Sequence, residues 1–200
     1  MKKKFFIIFL LMIFFCGCQS RNEVIKKADG KSKTYQMFKA FNVNSYYVSF
    51  WDRNSSINDD TKIILARLDD KYYYEIDGTV KQKIIQKDGF KYTVDVNANS
   101  YFKKESIIED YSLGILPNDI NKLKNMGYVK GEEKIFDNSY EFEKYDFDGR
   151  EVTYFYKNSK LIYIKYKNFL REGILKFNFI KTKFDEKIFD IDNKYEELTY

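Results

Sequence analysis

The chain has 200 residues, 44% of them hydrophobic and 32% charged, with a formal net charge of +5. That length suits one domain with a sizeable core, and a 19% aromatic content with well-mixed charge excludes a disordered or collagen-like chain. There is no His, which removes the commonest general base and metal ligand and every Ser-His-Asp or Cys-His engine. Two Cys can build neither a disulfide framework nor a four-thiolate metal site.

Lys2, Lys3 and Lys4 precede an unbroken apolar run from Phe5 to Phe15. Eleven residues are too few to span a bilayer, which takes about 20. A charged start followed by a short apolar stretch predicts an export signal, residues 1–17. A buried core helix would need a polar face at helical spacing, and this run has none.

Phe15-Cys16-Gly17-Cys18 resembles the lipobox of bacterial lipoprotein signals, in which a small residue stands before the acylated Cys. The resemblance implies diacylglyceryl transfer to Cys18 and cleavage between Gly17 and Cys18. The mature chain would then be held to a membrane through lipidated Cys18, on the extracytoplasmic side of the cell envelope, since paired acyl chains anchor stably. Cys16 would leave with the signal, and no free thiol would remain. Three of the 35 basic residues leave too, so the net charge falls from +5 to +2 and no longer argues for an acidic partner. From Gln19 to Ser32 only Val24, Ile25 and Ala28 are apolar, which predicts a polar tether over residues 18–32.

The remainder, residues 33–200, reads as one domain. Thr34 to Asn42 can form a short helix with Tyr35, Phe38 and Phe41 on one side. The period then changes to two, predicting strands at Tyr46–Trp51, Lys62–Asp69, Lys71–Asp77, Thr79–Gln86, Phe90–Val96 and Ser100–Lys104. Asp77-Gly78 and Asp88-Gly89 are hairpin signals, because a type I′ turn needs φ > 0 at both positions. Pro117-Asn118-Asp119, with Ile120 and Leu123, predicts a capped short helix that stops at Gly127. Strands resume at Tyr128–Phe136, Tyr140–Phe147, Glu151–Lys157, Leu161–Asn168 and Gly173–Lys183.

The predicted fold class is therefore mainly β (α+β). A single curled antiparallel sheet, a half-barrel of about ten strands, is covered by the N-terminal helix and the mid-chain helical insertion. Alternation places Leu175, Phe177 and Phe179 on one face and Lys176 and Asn178 on the other, as in a sheet with one solvated face.

This order of elements, closing in Ile188-Phe189-Asp190-Ile191-Asp192, resembles the lipoprotein-carrier superfamily, the fold of LolA, LolB and LppX. The resemblance covers about Thr34 to Tyr195 and lies in architecture. It implies an apolar cavity on the concave side of the sheet, able to hold a lipid, lipopeptide or apolar polypeptide segment. Candidate lining residues are Trp51, Tyr72, Tyr74, Tyr154, Tyr156, Leu175, Phe177 and Phe179. The same aromatics equally suit an ordinary filled core, as strand formers in cross-strand pairs.

Other chemistries have less behind them. Lysines alternate with acids throughout, so no electrostatic footprint for nucleic acid is visible. Asp190-x-Asp192 begins like a calcium loop, but Lys194 and Tyr195 stand where a ligand and the turn Gly belong, so no metal or other cofactor is expected. No catalytic residue is marked, although two carboxylates meeting in space would suffice for a hydrolase. The expectation is a non-enzymatic envelope lipoprotein that binds an apolar ligand. The alternative is an envelope scaffold with a filled core and a protein partner.

Overall fold

A computed structural model describes residues 22–53, 61–107, 114–167 and 172–199. Gly17, Cys18 and the leader before them lie outside the described residues. The first half of the chain forms β1 (Glu23–Ile25), α1 (Lys33–Phe38), β2 (Ser45–Asp52), β3 (Lys62–Leu68), β4 (Lys71–Asp77), β5 (Lys81–Lys87), β6 (Phe90–Asp95) and β7 (Ser100–Glu105). The second half forms α2 (Ile120–Asn125), β8 (Tyr128–Ile135), β9 (Asn138–Asp146), β10 (Glu151–Lys157), β11 (Lys160–Lys167), β12 (Glu172–Lys181) and β13 (Glu196–Glu197).

All thirteen strands belong to one open curled sheet. Its order is β1-β8-β9-β10-β11-β12-β2-β3-β4-β5-β6-β7-β13. Two antiparallel meanders, β2–β7 and β8–β12, are thus sealed side by side where β12 pairs β2. Among the described strands only β13, pairing β7, runs parallel to its neighbour. The mainly-β expectation holds.

Turn chemistry explains the tight hairpins. Asp88 and Gly89 have φ of 55° and 77°, Asp148 and Gly149 56° and 85°, and Asn158 and Ser159 51° and 61°. These are the paired positive values of a type I′ turn, which matches the twist of the strands it joins. Asp77-Gly78 differs. Asp77 still pairs Lys81 in the ladder, and residues 78–80 form a wider loop, so β5 starts at Lys81 and not at Thr79. Gly78 is needed there for closeness, because a Cβ would collide with the Thr61 side chain.

The two helices lie on one side of the sheet, here the inner face. Ser32 caps α1 by accepting from the Tyr35 amide, and Asp119 caps α2 by accepting from Lys122. Helix α1 ends at Phe38, four residues before the predicted Asn42, where the Asn42 side chain accepts from the Asn44 amide and turns the chain toward β2. Phe41 still packs edge-on against Phe38 at 5.7 Å. Phe38, Ile115, Leu116 and Leu123 are buried against Val48, Phe50, Leu65, Tyr154, Ile164 and Leu175, and this is the main core.

Two features depart from the expectation. The segment read as a tether enters the fold: Glu23–Ile25 pairs with β8, and Ala28 and Ser32 are buried. The outer face is also not wholly solvated. The 3₁₀ turn Glu186–Phe189 lays Phe189 over Ile64, Ala66, Tyr73 and Ile85, covering β3 to β5 from outside. A third cluster, Ile135, Tyr140, Phe142 and Phe155, lies on the outer face of β8–β10.

Candidate functional site

The strand registers decide where the proposed lining residues point. Tyr154, Tyr156 and Leu175 lie on the inner face, at most 1% exposed. They are packed in the core: the Tyr154 hydroxyl donates to the Ile115 carbonyl at 2.8 Å, and the Tyr156 hydroxyl meets Thr34 Oγ1 at 2.8 Å. Phe177, also inner, is half-buried and edge-on to Phe50 at 6.0 Å. Tyr72 is inner and buried, with the Arg67 guanidinium 4.8 Å over its ring. Tyr74 is inner and half-buried.

Trp51 and Phe179 point the other way. Trp51 pairs Lys176 on the outer face. Phe179 is displaced by a β-bulge: Phe177 pairs Phe50 but Phe179 pairs Ser49, so Asn178 is the extra residue and alternation inverts after it. The expected common face of Leu175, Phe177 and Phe179 therefore holds for the first two only. Phe179 stacks on Tyr47 at 5.8 Å and 6°. With Phe184 and Ile188 these rings border an outer recess of about 480 Å³.

The inner face is unevenly covered. The register aligns Leu65, Tyr74, Ile84, Thr93 and Phe102 in one row across β3 to β7. Leu65 is buried beneath the helices, whereas Tyr74, Ile84, Thr93 and Phe102 are all half-buried. Among the described residues the helices cover the inner face over β8–β12, β2 and β3. Beyond them, on β4–β7, Tyr72, Tyr74, Ile76, Ile84 and Phe102 share the inner face with Gln82, Gln86, Lys91, Thr93, Asp95 and Lys104. Among the described residues, Ser106 and Ile107 touch that side, accepting from the buried Gln86 amide.

The charged chemistry gathers elsewhere, and its central residue was not legible as such. Glu141 to Asp148 reads as a solvated mixed-charge face, yet Glu143 is 5% exposed. Its carboxylate accepts from the amides of Lys33 at 2.8 Å and Thr34 at 2.9 Å, from Thr34 Oγ1 at 2.7 Å and from the Tyr145 hydroxyl at 3.2 Å. Four donors make its burial tolerable. The signal for it was spacing: Glu143 shares the inner register with Tyr145, two residues on. Beside it Lys33 pairs with Glu141, in a charged recess of about 710 Å³ also lined by Lys130, Glu132 and Tyr156. Burial, with the nearby Glu143 charge, holds the Tyr145 and Tyr156 phenols far above their ordinary range.

Among the described residues no three His, Cys, Asp or Glu side chains converge as a metal site requires. Asp190 pairs with Lys87 at 3.3 Å and Asp192 with Lys194 at 3.7 Å. No described helix is long and apolar enough to cross a membrane.

No family model matches the chain, and no curated protein does. Among solved structures, an uncharacterised conserved protein from Thermus thermophilus aligns with a TM-score of 0.46 at 7% identity, over 83% of this chain and 96% of that one.

Proposed function

We propose that the protein is a lipid-anchored envelope protein, without enzymatic activity, that holds a lipid, lipopeptide or apolar polypeptide segment on the inner face of β4–β7. The observation that supports this reading is the change along the row from Leu65 to Phe102: Leu65 is buried beneath the helices, whereas Tyr74, Ile84 and Phe102 are half-buried, and such a row of apolar side chains offers a strip for an apolar ligand. Three interstrand steps of about 4.8 Å, from β4 to β7, give it a width of roughly 14 Å. The anchor rests on Gly17-Cys18 and the export signal before it.

The scaffold reading draws on the packed core. Tyr154, Tyr156 and Leu175 are buried in it, so in that account a protein partner uses the surface alone. The two readings separate on residues 19–200, produced without lipid and examined by native mass spectrometry. A co-purifying lipid is the expected result, and an empty protein that also ignores apolar fluorescent probes would remove the binding reading. Growth in labelled fatty acid tests the anchor, since label persisting after Cys18→Ser would contradict it.

A further inference from the structure

The β8–β9 hairpin ends in an aromatic that the fold does not require there. Phe136 is 53% exposed and has φ of 51°, a left-handed conformation that is unfavourable for a bulky side chain. Its ring meets the edge of Tyr163 at 5.8 Å, and Tyr163 in turn meets Tyr140 at 5.4 Å. Three exposed lysines surround this tip. Lys134 precedes it, and Lys157 and Lys160 stand directly opposite each other across the Asn158-Ser159 turn. Like charges in that position repel. None of the three pairs with a carboxylate among the described residues. Lys157 lies 5.8 Å over the Tyr140 ring, and Asp137 is the one acid in the turn itself.

The chain also leaves the domain toward this tip. Strand β1 runs antiparallel to β8, with Glu23 opposite Lys130 and Ile25 opposite Tyr128, so lower residue numbers lie nearer Phe136. Asn22 continues that course, since a Cβ on Gly131 would collide with its side-chain oxygen. From Gly131 to Phe136 is about 17 Å of strand, and from Asn22 back to Cys18 is at most about 14 Å of chain. An acyl group on Cys18 is therefore held within reach of the Phe136 end.

We propose that the β8–β9 tip is the membrane-facing end of the protein, with Phe136 entering the interfacial layer of an anionic phospholipid bilayer and Lys134, Lys157 and Lys160 meeting its phosphates. This rests on acylation of Cys18. The lipid supplies attachment, and the tip supplies orientation: an aromatic flanked by lysines suits a surface that is apolar below and anionic at its rim. Bilayer phosphates also relieve the repulsion between Lys157 and Lys160. The Gly78–Val80 loop, at the opposite end of the strands, then faces away from the membrane.

The test uses the full chain, matured in cells, purified in detergent and reconstituted into vesicles of phosphatidylcholine and phosphatidylglycerol in equal parts. With Cys16 removed and Cys18 acylated, Phe136→Cys provides a single thiol for a polarity-sensitive fluorophore, and Val80→Cys provides one at the far end. A nitroxide-labelled lipid in the vesicle should quench the probe at 136 several-fold more than at 80. Lys134→Gln with Lys157→Gln and Lys160→Gln should reduce that difference, at an unchanged urea midpoint. Equal quenching at both sites, or more at 80, overturns the orientation. Fatty-acid label measured on the same sample keeps the cases apart: label on Cys18 with no quenching at 136 defeats the tip alone, whereas no label defeats the anchor and the orientation together.

Discussion

Glu143 accepts two hydrogen bonds from Thr34, one from the amide at 2.9 Å and one from the hydroxyl at 2.7 Å, across 109 residues of sequence. This ties the first turn of α1 to β9 and sets the helix against the inner face before any apolar contact is counted. Removing the carboxylate leaves buried donors unsatisfied, so Glu143→Ala should cost about 3 kcal/mol in urea unfolding. Glu141→Ala, which loses only a surface pair with Lys33, should stay within about 0.5 kcal/mol. Equal costs would mean that Glu143 does not position the helix.

Burial raises the phenol pKa values of Tyr145, Tyr154 and Tyr156 far above the ordinary value of 10. The folded state then keeps protons that the unfolded chain releases. Stability should be unaffected below pH about 10 and should fall as the pH rises beyond it. Phenolate absorbance should show exposed tyrosines titrating first and the buried ones appearing only with unfolding. Complete phenol ionisation in a still-folded protein would contradict the packing described.

The β12 bulge makes a differential prediction. Leu175→Ala should cost about 3 kcal/mol, as large-to-small changes in a closed core do. Phe179→Ala should cost nearer 1 kcal/mol, because the ring sits half-buried on the outer face against Tyr47. Comparable losses would place Phe179 in the main core after all.

Gly127 has ordinary backbone angles but no room for a side chain. A Cβ there would stand 2.8 Å from the Lys26 carbonyl oxygen and 2.9 Å from that of Ile25. Gly127→Ala should therefore push β1 off β8 and cost about 2 kcal/mol. Hydrogen exchange should show the loss first at Val24 and Val129.

These residues also show how far the sequence could be read. The eleven longer strands were legible because β-branched and aromatic residues alternate in them. Asp88-Gly89 was legible because two successive positive φ values demand such residues. The same logic failed at Asp77-Gly78, where the glycine answers to the closeness of Thr61. Strands β1 and β13, of three and two residues, are too short to carry a period and exist only through their partners. Phe179 was misplaced because one extra residue inverts alternation, and nothing in ILKFNF marks Asn178 as that residue. Glu143 was hidden by its charged neighbours, although its register with Tyr145 pointed inward.

On the proposed reading, the half-covered row on the inner face of β4–β7 holds an apolar ligand. Titrating residues 19–200 with a fluorescent fatty-acid analogue tests it most directly, alongside Ile84→Glu combined with Phe102→Glu, and Phe184→Ala as a control in the outer recess. Saturable binding that the double substitution weakens at least tenfold, and that Phe184→Ala leaves unchanged, is the predicted result. Absence of binding, or equal affinity in the double variant at an unchanged urea midpoint, would contradict it.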